Sequence, residues 1–516
     1  MGSEMCIRDS AYTSSFRTVR NEGNESSHNV LGVYHAVLPA GDSPNASVNS
    51  LLKIRGDDME NINLNNIKGK RVLIVGMGKS GIAAIQAMLK LGAEVTVQDS
   101  KNAEDMDGQL LNFLAGRGLS LCLGKTPEDM GAFDMLILSP GVDPEMDFIE
   151  EAKSKGAEIV GELEIAYRVA RGSFVAITGT NGKTTTTTLV GEIFKNDRRN
   201  TYVVGNIGVA VISKALDTEE GDWLITETSS FQLQTVKYFK PVISAILNIT
   251  PDHLNRHHTM ENYGCAKANI FVNQDEKGYC IINGDDEMCR TLAKKCRARV
   301  IQFSSTRQLE EGAFVKDGRL VISDGQKIYD LCGADELKII GKHNIENALA
   351  ASAISYFAGI DPAVIGDTLK SFSGVAHRIE YCGMIDGVKF YNDSKGTNID
   401  ATVTALNAIK ENIILIAGGD GKGQDFKTLT DNFAGRVKHL ILIGRDGPKI
   451  AAAAEESGFR DYSYGANMEE CVQKAFSIAR EGDTVLLSPA CASWDMYDNF
   501  EQRGDHFREV TARLGN

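Results

Sequence analysis

At 516 residues the chain exceeds one ordinary domain, and three domains are the natural expectation. Apolar residues make up 42% and support substantial cores, while 55 basic against 69 acidic side chains leave a net charge of −14, which argues against a general nucleic-acid or membrane-surface protein. No run approaches a membrane span and the ten scattered cysteines show no CxxC pair, so a cytoplasmic protein with reduced thiols is expected.

Residues 1–66 are rich in Ser, Asn and Gly and hold no apolar periodicity, so a disordered leader is expected there. No export signal is evident. The opening MGSEMCIRDS resembles translated adaptor sequence, and Met59 is a candidate for the true start. From Arg71 the pattern changes. RVLIV, AEVTV, DMLILS, SFVAIT, DWLITE, ISAILNI, NIILIAGG, HLILIG and TVLLSPA recur between helix-length segments. Runs of this kind suit parallel strands buried on both faces, so the class is α/β, doubly wound more than once over. Boundaries are expected near Arg171–Ser173 and near Ser373–Ala376, where helical segments end in small residues before a new strand.

In the first segment, RVLIVGMGKSG places a strand before GxGxxG at Gly76, Gly78 and Gly81, followed by a helix. The next strand ends at Asp99. This is a dinucleotide fingerprint, equally open to NAD, to another nucleotide diphosphate, or to close helix–strand packing alone. Ser139, Pro140 and Gly141 form a turn at the carboxyl edge of the same sheet, where ligands bind in open α/β sheets.

The stretch GTNGKTTTTT at 179–188 carries the sharpest signal. The apolar run from Phe174 to Ile177 reads as a buried strand before it, and TLVGEIF as a helix after it. Such a loop cradles phosphate: its N–H groups point inward, the helix N-terminus adds positive potential, and Lys183 supplies a point charge. The hydroxyl of Thr184 or Thr185 is placed to hold Mg²⁺. The usual GxxxxGK[ST] spacing needs glycine where Ile177 stands, so this is a shorter GxxGKT form from Gly179.

Downstream, polar residues interrupt apolar strands. Asn206 lies in GNIG, and Glu227 ends DWLITE, where an acid would give Mg²⁺ a second support; a helix cap is the alternative. His253 lies near the tip of the strand in ILNITPDHLNRHH. His253 and His257 are four apart, yet nothing suggests zinc, and His257 and His258 are expected as exposed polar residues. Lys267, in YGCAKANIF, reads as a surface helix lysine. GKHNIENALAA at 341–351 starts a helix with Asn344 in its first turn.

Taken in order, GTNGKTT, GNIG, ETSSFQL, DHLNRHH, AKANIF, GKHNIENALAA and HRIE resemble the Mur ligases, ADP-forming enzymes that add amino acids to a UDP-linked muramoyl peptide. YNDSKGTN at 391–398, GGDGKGQDF at 418–426 and LSPACASWDMYDNFEQRG at 487–504 resemble the branch that adds D-glutamate to UDP-N-acetylmuramoyl-L-alanine in peptidoglycan precursor synthesis. The likeness covers about residues 67–516 and leaves the first 66 unmatched. It implies a Rossmann-like UDP-substrate domain over 67–171, a central P-loop ATPase-like domain over 172–374, and a Rossmann-like amino-acid domain over 375–516. It also implies ATP, Mg²⁺ at two sites, a monomer, and small-molecule substrates without nucleic acid or membrane.

The resemblance assigns roles. Gly179, Thr180, Asn181, Gly182, Lys183, Thr184 and Thr185 would hold ATP with Asn344, Arg378 and Asp393, with Arg378 reaching phosphate from the far side. Thr184 and Glu227 would serve one Mg²⁺, and His253 with a carbamylated Lys267 a second. Lys183, His253 and Lys267 are the catalytic candidates. Gly78, Lys79, Ser80, Gly81, Asp99 and Ser139 would hold UDP, which makes the fingerprint no NAD site, and Asn206 would meet the sugar–peptide portion. Thr397, Lys422, Ser493 and Phe500 would form the D-glutamate pocket, with Lys395 on the same closing edge. Asn255, Gly396 and Trp494 stand where the family commonly has Asp, Ala and Leu. The implied chemistry is an acyl phosphate captured by an amine, with domain closure excluding water. A nucleotide switch, an NAD-linked dehydrogenase and a neighbouring ligase, such as a folate polyglutamyl ligase, are the competing expectations.

Overall fold

The computed structural model describes residues 67–515 apart from 107, 118, 207, 410 and 411. The leader expected over 1–66, with its candidate start Met59, lies outside the described residues. Three sheets follow one another along the chain. In the first, Arg71–Val75, Glu94–Asp99, Ser120–Leu123, Met135–Leu138 and Glu158–Gly161 are all parallel. Arg71–Val75 lies between Glu94–Asp99 and Met135–Leu138, so the strand order reverses there. The carboxyl ends of Arg71–Val75 and Met135–Leu138 are therefore where a crevice is expected, and the glycine loop and Ser139 follow them in the chain.

The second sheet has nine strands. Ser173–Thr178 is buried at every position and runs parallel between Trp223–Glu227 and Ile243–Ile246. Helices Lys183–Asn196 and Lys342–Phe357 cover it, their inner faces filled by Leu189, Ile193, Leu349 and Ile354. Its far edge departs from the expected parallel pattern. Glu311–Lys316, Arg319–Asp324 and Ile328–Gly333 form an antiparallel meander. The third sheet has six strands and one antiparallel pair, Glu380–Ile385 with Val388–Asn392.

Two of these hairpins turn on Asp-Gly. Asp317 and Gly318 have φ of 51° and 75°, and Asp386 and Gly387 have φ of 48° and 77°. Two residues in the left-handed region match the twist of the flanking strands, which makes Asp-Gly a strong hairpin signal. The apolar stretches of these strands are short, with Glu311, Lys316, Arg319 and Asp324 at the ends of the first pair, so the turn is their clearest signal.

Apolar packing joins the first two modules. Helix Glu162–Val169 is buried along its whole length. Tyr167, Phe174 and Phe239 meet edge to face at 5.5 to 5.7 Å. Buried Glu164 accepts from the backbone N–H groups of Lys237, Tyr238 and Phe239 and from Arg168. Among the described residues, eight cysteines are free thiols and no helix is long and apolar enough to cross a membrane.

Candidate functional site

The loop at 179–182 owes its shape to Gly179 and Gly182, with φ of 156° and 81°. A Cβ on Gly182 would lie 2.2 Å from Asn347 Oδ1, so only glycine fits. Asn347 in turn donates to Asn344 Oδ1, and Asn344 donates to the Ile340 carbonyl. Asn344 thus braces the loop from helix Lys342–Phe357. Lys183 folds back and donates to the carbonyls of Gly179 (2.9 Å) and Thr180 (2.7 Å). Burial pushes its pKa down, Glu227 opposes that, and Arg378 adds to it.

Glu227 ends the neighbouring strand in register with Ile177. It is buried, and its Oε1 accepts from Asn206 Nδ2 at 2.8 Å. Its Oε2 is buried with no hydrogen-bond partner among the described residues. A carboxylate oxygen left so is costly unless a cation meets it. The helix-cap alternative for Glu227 finds no bond of that kind among its contacts. With the Thr184 hydroxyl on the same wall, this donor set fits a divalent cation.

A cavity of about 540 Å³ opens over the loop. Lys79 of the first module, Lys183 of the second, and Arg378 and Lys395 of the third part face into it against two carboxylates, Glu227 and Glu501. The excess of cations suits a polyphosphate. Thr180, Asn181, Gly182, Thr184, Asn206 and Phe500 also line it, whereas Gly179, Thr185, Asn344 and Asp393 do not. Arg378 sits between His377 and Ile379, whose φ values are 63° and 46°, and its Nε is buried without a partner among the described residues. Asp393 lies behind it, accepting from Ile379 N (3.2 Å) and Ser488 Oγ (2.6 Å). Burial pushes the Asp393 carboxyl up to about 7 against the pull of Ser488 and Arg378. Lys395 is pushed down by burial and by Arg378.

Two expectations are corrected. Lys267 is no surface lysine: it is buried, donates to the Gly179 carbonyl at 2.8 Å, and has its Nζ 4.5 Å from the centre of the Tyr263 ring. Burial, reinforced by Lys183, takes its pKa down to about 7. The low amphipathy of helix Met260–Ala268 hides this, because its cover comes from the loop rather than from an apolar stripe. His257 is buried too. Its ring shares a hydrogen bond with Ser230 Oγ (3.0 Å) and stacks on Phe231, and burial with Arg256 takes it down to about 4. His258 is exposed, as expected. His253 is exposed beside Asp252 (3.4 Å), and neither it nor Lys267 lines the cavity.

In the first module a Cβ on Gly81 would lie 1.9 Å from the Gly76 carbonyl, so Gly81 serves close helix–strand packing. Asp99 accepts from Met77 N and Ser139 donates to the Gly76 carbonyl, both at 2.7 Å. They brace the loop whose Lys79 reaches the cavity, while Gly78, Ser80, Gly81, Asp99 and Ser139 stay off its wall. In the third module Lys422 and Ser493 lie on loops joined by paired backbone bonds between Asp420 and Ala492. Both, with Thr397, stand outside the cavity lining. Thr397 N donates to the Lys395 carbonyl, and Lys395 Nζ lies 5.5 Å from the Phe500 ring centre. Sequence reasoning missed His377 and Glu501 on the wall. It also missed buried Arg503, which donates to Ser394 Oγ, the Ser394 carbonyl and the Cys491 carbonyl. Arg503 lies within a motif read above, but nothing in its type or spacing marks it as buried.

These features define a three-domain α/β protein organised around a phosphate-binding loop. Family models match in the same order: Mur ligase MurD-like, N-terminal domain over 70–161; Mur ligase middle domain over 177–355; and Mur ligase, glutamate ligase domain over 377–491. The chain is 50% identical over 453 residues to the UDP-N-acetylmuramoylalanine--D-glutamate ligase of Alkaliphilus oremlandii, covering 87% of this chain and 99% of the relative. It is 46% identical to that of Clostridioides difficile over 450 residues, covering 87% and 100%. Among solved structures it is similar to the UDP-N-acetylmuramate-alanine ligase of Thermotoga maritima, with TM-score 0.55, 18% identity, and coverage of 86% of this chain and 100% of that one. The chain belongs to the Mur ligase family.

Proposed function

We propose that this chain is an ATP-dependent, ADP-forming ligase that joins D-glutamate to UDP-N-acetylmuramoyl-L-alanine for peptidoglycan precursor synthesis. The names of relatives at 46 to 50% identity support the reaction. The observation that carries the site is that one cavity is bordered by Lys79, Lys183, Glu227 and Arg378, drawn from all three modules. On this reading 67–171 hold the UDP substrate, 172–374 the ATP and 375–516 the amino acid.

The substrate's alanine carboxylate attacks the γ-phosphorus of ATP, the bond to the β-phosphate oxygen breaks, and ADP leaves. Lys183 and Arg378 offset the charge of two anions brought together. The neutral amine of D-glutamate then attacks the acyl carbon, the bond to phosphate breaks, and a proton leaves the new amide nitrogen. The Thr184 hydroxyl and Glu227 would hold one Mg²⁺ and His253 with carbamylated Lys267 a second, and the metal supplies neutralisation of phosphate charge when bound. A Lys267 pKa near 7 leaves much of the amine neutral, which is the form that reacts with CO₂. Thr397, Lys422, Ser493 and Phe500 would receive D-glutamate, and Asn344 and Asp393 would support the ATP side, acting through bracing contacts. We place the enzyme in the cytoplasm as a monomer.

The test is ADP release with UDP-N-acetylmuramoyl-L-alanine across a panel of amino acids. Release with D-glutamate and not with L-glutamate is expected. Release that needs neither amino acid nor muramoyl substrate would support a nucleotide switch instead.

A further inference from the structure

Trp494 is the larger oddity of the third module. It is 66% exposed, whereas the chain's other tryptophan, Trp223, is 1% exposed. A single exposed aromatic side chain is ordinary in itself, so what matters is the company it keeps. Its ring is not empty-handed: the Lys422 ammonium lies 4.8 Å from its centre. Among the described residues no carboxylate pairs with that ammonium. The two side chains come from different loops, yet the loops are tied together. Asp420 and Ala492 exchange backbone bonds of 2.9 and 3.0 Å. Asp495 accepts from Arg445 N at 2.8 Å, and Arg445 donates to Asp420 at 3.1 Å. Met496 N and Tyr497 N both donate to the Ser493 carbonyl. The backbone carrying Trp494 is thus fixed on both sides, and Lys422 itself is held in the left-handed region with φ of 52°.

We propose that Trp494 is a positioning residue for the incoming amino acid: its ring face holds the Lys422 ammonium in place, without neutralising it, until the carboxylate of D-glutamate arrives. The idea rests on the D-glutamate reading above. An aromatic face attracts a cation through its quadrupole yet leaves the full positive charge available, which a carboxylate partner would not. The ring also lowers the freedom of a long lysine side chain before binding, so less ordering remains to be done when the ligand enters.

The test compares Trp494→Phe, Trp494→Leu and Trp494→Ala in the full-length protein, using steady-state ADP release. The KM for D-glutamate should rise about threefold to tenfold in the Leu and Ala variants and stay within about twofold in the Phe variant. The KM values for ATP and the muramoyl substrate, and kcat, should hold. A Leu variant equal to the parent, or a parallel rise in all three KM values, would overturn the proposal. A second reading uses the exposed tryptophan as its own reporter. D-glutamate added to protein already holding the muramoyl substrate and ADP should change the emission, and Trp494→Phe should abolish the change. An emission change that persists in Trp494→Phe would overturn it. If the parent itself shows no D-glutamate-dependent ADP release, the functional reading fails instead, which separates the two outcomes.

Discussion

The two seams of this molecule are built in opposite ways. Between the first and second modules one apolar cluster runs without a break from Ile67 through Phe174 to Ala298. Between the second and third, the clusters of described residues stop on either side: one reaches Phe372 with Val375 at its margin, and the next begin at Ile379 and Val388. The link carries Gly374, His377 and Ile379 at positive φ, and the space beside it is the cation-rich cavity. A seam made of packed side chains moves as one body, while a polar seam with a short strained link can open and shut. On the proposed function the reacting site sits where the molecule has least glue, because ATP and an amine would enter there and water would then be kept out.

The sharpest way to break this contrast is at the cavity. Lys183→Ala should lower kcat/KM by about a thousandfold or more with the melting temperature nearly unchanged. Normal turnover in that variant would end the phosphate-site reading.

The rigid seam should respond in the opposite sense. Glu164 receives three backbone N–H groups and Arg168 in a fully buried setting. Glu164→Ala should cost about 3 kcal/mol of stability and loosen the first two modules together, as read by denaturant unfolding. Loss of activity without loss of stability would contradict a structural role.

Lys267 sharpens the chemistry of the central module. Lys267→Ala should lower activity about a hundredfold and recover in part with short carboxylates. In the parent, ¹³C-bicarbonate should give a carbamate resonance that grows as pH rises through about 7, the value to which burial and Lys183 lower this amine. The sign follows from linkage. The folded pKa lies below the ordinary 10.5, so the buried ammonium penalises the fold fully below about pH 7 and is relieved as pH rises between the two values. A resonance independent of pH, or one surviving in Lys267→Arg, would exclude this site.

The smallest effect belongs to the link. Gly374 has φ of 99°, so Gly374→Ala should cost about 1 kcal/mol and raise the KM values for ATP and D-glutamate together. Unchanged KM values would remove the link from the closing motion.

Much of this was legible in the residues. Glycine loops after apolar strands announced both crevices, since strand, tight turn and helix leave a local trace. Glu227 and Asn206 stood out because polar side chains interrupt strand ends. What stayed hidden depends on distant packing. Lys267 meets the Gly179 carbonyl, and His257 meets Ser230 and Phe231, all partners far off in sequence. The hairpins at Asp317–Gly318 and Asp386–Gly387 are different: their trace in the sequence is the Asp-Gly turn itself and not an apolar run.

One isotope measurement bears most directly on a carboxylate activated inside this cavity. UDP-N-acetylmuramoyl-L-alanine carrying ¹⁸O in its alanine carboxylate is turned over with ATP and D-glutamate, and the released phosphate is weighed. One ¹⁸O atom in each phosphate formed from doubly labelled carboxylate is the expected result. Phosphate without the label would contradict acyl-phosphate chemistry at this site.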